Sequence, residues 1–298
     1  MALTPMRKAS FLLLLVVFVW GMSYLFTKRG LETLPPFTFL TFRFCLGFTA
    51  AGLLFMKHFS KINKKTLIGG AVLGFFLFLT LGCVYFGLRY TTISNAGFLG
   101  SLSVVFVPIL SAIVYRKLPE KKILIGSTAA AIGIALLTLE SKAGFSIGDF
   151  ICIGAAVAYA GHILMTKHLT SIKEIDALNL GIVQLGFTGI YGAVCALLFE
   201  EPYLPTAAEE WTAILFLAFF CTAFGFTGQV VAQKHITPAH VGLLFSLEPV
   251  FAALFAYLFA SEQLLPIQII GAAIVFCSVL YVEADLKGFK RKSGRETG

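Results

Sequence analysis

Long apolar runs, interrupted at short intervals by basic or turn-forming residues, set the pattern of this chain. A helix that crosses a bilayer needs about 20 consecutive apolar residues. Ten segments meet or approach that length, near residues 10–27, 36–56, 67–88, 93–115, 123–139, 150–167, 178–199, 211–232, 238–260 and 266–282. The longest connection is about a dozen residues, which leaves no room for a soluble domain. The start imitates a signal peptide, with Arg7 and Lys8 ahead of Phe11-Leu12-Leu13-Leu14-Leu15. No small-residue cleavage site follows, and the apolar run continues through Trp20-Gly21 to Thr27, so it is expected to be retained as the first span. The pattern predicts an all-helical membrane protein with ten transmembrane helices.

Composition agrees with the pattern. The chain is 58% hydrophobic and 13% charged, where a soluble protein carries roughly 25% charged residues. The net charge of +8 is unevenly spread and is therefore read loop by loop, not as affinity for nucleic acid. Lysine and arginine crowd one alternate set of loops: Arg7 and Lys8, then Lys57 to Lys65, Arg116 to Lys122, Lys167 and Lys173, Lys234, and the tail from Lys287 to Arg295. The opposite set holds only Lys28, Arg29, Arg89 and Lys142, and the loop around Glu200, Glu201, Glu209 and Glu210 has no basic residue. Because basic loops stay in the cytoplasm, both termini are expected there. Six cysteines all fall in apolar runs and form no Cys-x-x-Cys pair, so neither a disulfide framework nor a metal site is indicated. No cofactor is expected.

An internal repeat organises the ten spans. A shift of 145 residues lays Tyr90 to Leu102 on His235 to Leu247 without a gap, with Thr92/Thr237, Gly97/Gly242, Leu99/Leu244, Ser101/Ser246 and Leu102/Leu247 identical. Val105/Val250, Phe106/Phe251 and Gly126/Gly271 match further on, and Trp20 to Lys28 parallels Tyr159 to Lys167 at a slightly different shift. The expected units are residues 1–139 and 140–283, followed by a basic cytoplasmic tail at 284–298. Five spans is an odd number, so the second unit enters the membrane upside down. Inverted repeats of this kind are built by secondary transporters, which hold their solute near the midplane between the halves.

Within this frame the stretch from Thr237 to Pro249 is costly. It places His240, Glu248, Pro238 and Pro249 inside an apolar run, and a carboxylate at mid-membrane costs at least a few kcal/mol. Pro249 removes a helix hydrogen bond to Phe245 and disfavours helical geometry at Glu248. In the first half Ser103 and Val104 stand at the places of Glu248 and Pro249, while Pro108 lies one turn further on. Both halves are therefore expected to bend, at Pro108 and Pro249, and at different depths.

Glu248 should lie roughly 15 Å from one end of its helix, and Arg43 roughly 10 Å from the opposite surface, in a hydrocarbon core about 30 Å thick. They are the charged residues placed well inside spans, and together they fit a zwitterionic or ionic solute, with Glu248 able to exchange a proton. A structural ion pair, or Arg43 capping carbonyls, is the competing reading. His240 is a relay candidate towards Glu248, against a neutral histidine bonded to a backbone carbonyl. Asn95, which maps onto His240, and Ser101, Ser246, Tyr85, Trp20 and Gln229 are further lining candidates. Gln184, Gln229 and Gln233 suit interhelical hydrogen bonds, worth about 0.6 kcal/mol each. No Gly-x-Ser-x-Gly, His-Glu-x-x-His, phosphate loop or acidic metal cluster is present, so no enzymatic role is expected.

These residues resemble the drug/metabolite transporter superfamily, specifically its EamA-type ten-helix members. The resemblance runs over about residues 9 to 283. It rests on Trp20-Gly21, Arg43, Asn95-Ala96-Gly97-Phe98-Leu99, and Ser246-Leu247-Glu248-Pro249-Val250-Phe251-Ala252-Ala253-Leu254 followed by Glu262 and Gly271. Val104, Ser103 and Lys117, where Pro249, Glu248 and Glu262 would map, depart from it in the first half. The resemblance implies a plasma-membrane (inner-membrane) carrier working by alternating access and exporting amino acids or related small metabolites. Uptake of a scavenged nucleotide-linked or quaternary-amine compound, and a non-transporting membrane component, are the alternatives. Its partners would be a small-molecule solute, the lipid bilayer and, through Glu248, protons; the oligomeric state stays open.

Overall fold

The computed structural model describes residues 4–59, 62–87, 89–91, 93–138, 146–259 and 263–285. All regular structure among them is helical. The first five spans are α1 (Pro5–Thr33), α2 (Pro36–Leu54), α3 (Lys64–Gly87), α4 (Ile93–Ser101 continuing as Ser103–Tyr115) and α5 (Lys121–Thr138). The second five are α6 (Ile147–Thr170), α7 (Ala177–Phe199), α8 (Ala208–Gln233), α9 (Pro238–Phe245 continuing as Glu248–Phe259) and α10 (Pro266–Asp285). Nine of these are long and apolar enough by themselves to cross a bilayer; α5, which opens on Lys121-Lys122, packs along α10 as the tenth. The tail beyond Asp285, together with Lys142 and Glu262, lies outside the described residues.

Several helices overrun their apolar cores because local chemistry, not hydropathy, ends them. α1 begins one residue after Thr4, whose hydroxyl accepts from Arg7 N, and stops just before Pro35-Pro36. α6 starts on a capping box between Ser146 and Asp149, and α7 starts on Asp176, whose carboxylate accepts from Asn179 N. α2 has no side-chain cap of its own. Glu200, at the end of α7, supplies one from a distance by accepting from Phe37 N and Thr38 N at 2.9 and 2.8 Å. That bond ties the far ends of α2 and α7 together on one face of the molecule. On the other, lysine-rich face, Lys65 pairs with Glu174 and Asn179 bonds the His58 carbonyl.

Glycine lets two helix pairs meet backbone to backbone. α5 and α10 touch at Gly133 and Gly271, where a Cβ on either would run into the carbonyl of the other. α3 meets α7 at Gly70 and Gly74, as the Gly-x-x-x-Gly spacing predicts, and Thr188 donates across that contact to the Gly74 carbonyl at 3.1 Å. Large apolar side chains such as Phe11, Ile113 and Leu197 stay exposed on the outside of the bundle, as a lipid-facing surface requires.

Two spans are broken, and at positions related by the repeat. α4 breaks at Leu102 and α9 at Ser246-Leu247. In α9 the chain tightens into three-residue turns, with Ser246 N bonded to Leu243 O and Leu247 N to Leu244 O. In α4, Leu102 N bonds Leu99 O in the same manner. These breaks are a feature distinct from the bends expected at Pro108 and Pro249, and they fall at equivalent places in the two halves. The interruption in α4 falls at Leu102, whereas Pro108 stays inside the helix that follows. Ser101 and Ser246 each turn their hydroxyl back onto their own helix, at Gly97 O (2.8 Å) and Leu243 O (2.6 Å), so they support the breaks. α8 carries a third irregularity, a π-helical stretch at Leu217–Phe226 that the apolar pattern does not predict.

Candidate functional site

The broken helices and the π stretch converge on one cavity of about 360 Å³. It is lined from both halves, by α1, α2, α3 and α4 on one side and α6, α8 and α9 on the other. Thr27, Lys28 and Glu32 of α1 and Ala96 and Gly97 of α4 line it towards the face opposite the lysine-rich loops.

Breaking α4 and α9 creates two internal helix starts beside this cavity, at Ser103 and Glu248. A helix start carries partial positive charge, which favours a carboxylate in its first turn. That is the place Glu248 occupies. The Tyr24 hydroxyl faces its carboxylate. Ser103, its counterpart under the 145-residue shift, lines the same cavity from the other half.

Arg43 is buried and reaches the cavity from α2. Its Nε donates to Thr222 Oγ1 and its Nη1 to the Tyr85 hydroxyl, both at 2.8 Å. Thr222 lies in the π stretch of α8, and one residue earlier the Cys221 carbonyl accepts from Trp20 Nε1 at 2.8 Å. Irregular backbone in α8 therefore supplies both an acceptor for Trp20 and an anchor for Arg43. Arg43 and Glu248 make no ion pair with each other, and Arg43 bonds hydroxyls, not carbonyls. Two of the five N–H donors of the guanidinium are engaged by these bonds. The site thus holds a fixed cation and a carboxylate in one cavity, each positioned by neutral neighbours.

Aromatic side chains build one wall. Phe245, the last residue before the break in α9, lies between Trp20 and Tyr159, with ring centroids at 5.4 and 5.8 Å. Trp20 and Tyr159 are the residues that the second repeat alignment places opposite each other.

Of the candidates read from the sequence, Glu248, Arg43, Tyr85, Trp20 and Ser101 line the cavity. His240 does not. It bonds Glu283 of α10 at 2.7 Å near the lysine-rich face, in place of either the relay or the carbonyl contact expected. Ser246 is buried beneath the break, and Gln229 sits behind Tyr159, whose hydroxyl donates to it at 3.5 Å. The side chain of Asn95 lies outside the described residues. Sequence reasoning missed Tyr24 and Tyr159. Tyr24 lies one helical turn from Trp20 on the same face, and Tyr159 was marked by its alignment with Trp20.

Behind Tyr159, between α6 and α8, several buried polar atoms lack a protein partner: His162 Nδ1, Thr166 Oγ1, Gln229 Nε2 and both side-chain polar atoms of Gln233. An unsatisfied buried polar group costs about 1–3 kcal/mol, so this grouping is expensive for packing alone.

A helical bundle with two inverted five-helix halves, and a cavity between them that holds Glu248 at an internal helix start and Arg43 from within α2, defines a polytopic membrane transporter. Comparison with known proteins makes that specific: the model of the EamA-like transporter family matches residues 7–139 and again 146–283, and the chain belongs to that family. An uncharacterised transporter of Archaeoglobus fulgidus is 30% identical over 270 residues, covering 91% of this chain and 84% of the relative. A protein of Salmonella typhimurium named a probable amino-acid metabolite efflux pump is 27% identical over 305 residues, covering 98% and 99%. A solved crystal structure superposes with a TM-score of 0.80 at 17% identity, covering 92% of this chain and 97% of the other, which is a likeness of fold.

Proposed function

We propose that this transporter exports amino acids or related small metabolites across the plasma membrane by alternating access, with both termini in the cytoplasm. The observation that carries the reading is the pair of opposite charges in one cavity, unpaired with each other. A zwitterion satisfies both: its carboxylate meets the free donors of Arg43, and its ammonium meets Glu248. Charge-assisted bonds of this kind are roughly twice as strong as neutral ones, and they select against solutes with a single charge. The cavity volume suits a small metabolite. The direction is supported by the name of the Salmonella relative; the lysine-rich loops support the inward placement of the termini and do not set the direction of flux.

Glu248 is the group proposed to exchange a proton, because a solute ammonium and a proton compete for the same carboxylate. Counterflow in proteoliposomes with a panel of amino acids, at two pH values and with Glu248→Gln beside the parent, tests this. The parent is expected to exchange at least one zwitterionic amino acid with a rate that changes with pH, and Glu248→Gln to lose that dependence. A parent that exchanges none of the panel overturns the amino-acid reading. Counterflow independent of pH removes the proton.

A further inference from the structure

The unpartnered polar atoms behind Tyr159 form a seam that two hydrogen bonds bracket. At its cavity end Tyr159 bonds Gln229, and at the lysine-rich face Lys167 Nζ donates to the carbonyls of Gln233 and Lys234, at 3.4 and 3.0 Å. Between those two bonds lie His162 and Thr166 on one wall and Gln229 and Gln233, one turn apart, on the other. His162 is fixed through Nε2 by Gln184 Oε1 at 2.9 Å, which leaves Nδ1 free. All four side chains are fully or almost fully buried, and each keeps at least one polar atom without a partner.

The repeat indicates what the seam is for. The shift that lays Trp20 on Tyr159 lays Ser23 on His162, Thr27 on Thr166 and Lys28 on Lys167. In α1, Trp20, Ser23, Thr27 and Lys28 all line the open cavity. Extending the 145-residue shift places Val84 of α3, which also lines the cavity, on Gln229 of α8. The polar column that borders open space in the first half is thus closed and buried in the second. In an inverted repeat the two halves exchange such roles when access alternates.

We propose that the seam between α6 and α8 is a hydrated passage that continues the cavity towards the lysine-rich face. Amides, a hydroxyl and an imidazole offer both donors and acceptors and no carboxylate, so the passage takes water and the uncharged hydrogen-bonding groups of a passing solute. The inference deepens the carrier reading of the same cavity, but its test requires no solute.

Single replacements Thr166→Cys, Gln229→Cys and Gln233→Cys are made in the full chain, beside Val230→Cys, which is equally buried but packs with the apolar residues Leu73 and Leu180. Each purified protein is checked for a single gel-filtration species and treated with methyl methanethiosulfonate, and labelling is resolved by site with mass spectrometry. Only a thiolate reacts, and a thiolate forms where water is present, so the seam positions are expected to label at least about tenfold faster than Val230→Cys. The buried native Cys221 serves as an internal slow reference. Equal rates at seam and control positions, fast or slow, overturn the passage. Fast seam labelling in a protein that shows no counterflow keeps the passage and removes the carrier, so the two failures are told apart.

Discussion

Arg43 is a charge buried in a membrane domain, and in the proposed function it is the group that meets the solute carboxylate. Its two bonds go to hydroxyls, which orient the guanidinium without neutralising it. Arg43→Lys keeps the charge but cannot span Thr222 and Tyr85 together, because lysine lacks the planar fork. A lost charge-assisted bond is worth about 1.5–3 kcal/mol, so the half-saturating solute concentration in counterflow is expected to rise roughly tenfold or more. Tyr85→Phe removes one neutral partner and should raise it by a smaller factor, about two- to tenfold. A value unchanged in both variants would place Arg43 outside solute binding. The charged pair was legible in the sequence because a charge inside an apolar run has few bland explanations. Tyr24 and Tyr159 were less legible, since an aromatic residue in a membrane span is ordinary until its neighbours in space are known. His240 misled for the complementary reason: its proximity to Glu248 along one helix carried no information about Glu283, 43 residues further on.

At the scale of the helix, the breaks in α4 and α9 place Ser103 and Glu248 at internal starts. Proline is not their common cause. α4 breaks at Leu102 with valine where α9 has Pro249, and the shared features are the serine one residue before the identical leucine and its bond back onto the helix. Pro249→Ala is therefore expected to keep the break, with counterflow within about threefold of the parent and no loss of thermal stability beyond about 1 kcal/mol. A variant that folds but loses counterflow would return the proline to the centre of the mechanism. The π stretch of α8 had no sequence signature. It is held by Trp20 on Cys221 O and Arg43 on Thr222, contacts that come from helices about 180 to 200 residues away along the chain.

At the scale of the molecule, close helix contacts hold the bundle together outside the cavity as well. α5 and α10 touch through Gly133 and Gly271 with no space for a side chain. Gly133→Val is expected to lower the thermal midpoint in detergent by overpacking worth about 1–3 kcal/mol. Gly154→Ala, where an added Cβ meets nothing within 4 Å, serves as the neutral control. Equal midpoints for the two would mean that α5 and α10 separate without consequence.

Hydropathy and the internal repeat determined the spans and their two-unit arrangement, and motif residues such as Ser246-Leu247-Glu248-Pro249 pointed to the family, because apolar length, odd span count and local motifs are properties of the chain itself. Tertiary structure decided what those patterns could not. It separated Arg43 from Glu248 while leaving both in one cavity, sent His240 to Glu283, broke α4 at Leu102, and buried His162, Thr166, Gln229 and Gln233 without enough partners. The reason is physical. A residue's cost in the membrane can be read locally, but which partner relieves that cost depends on helices that meet only when the halves pack.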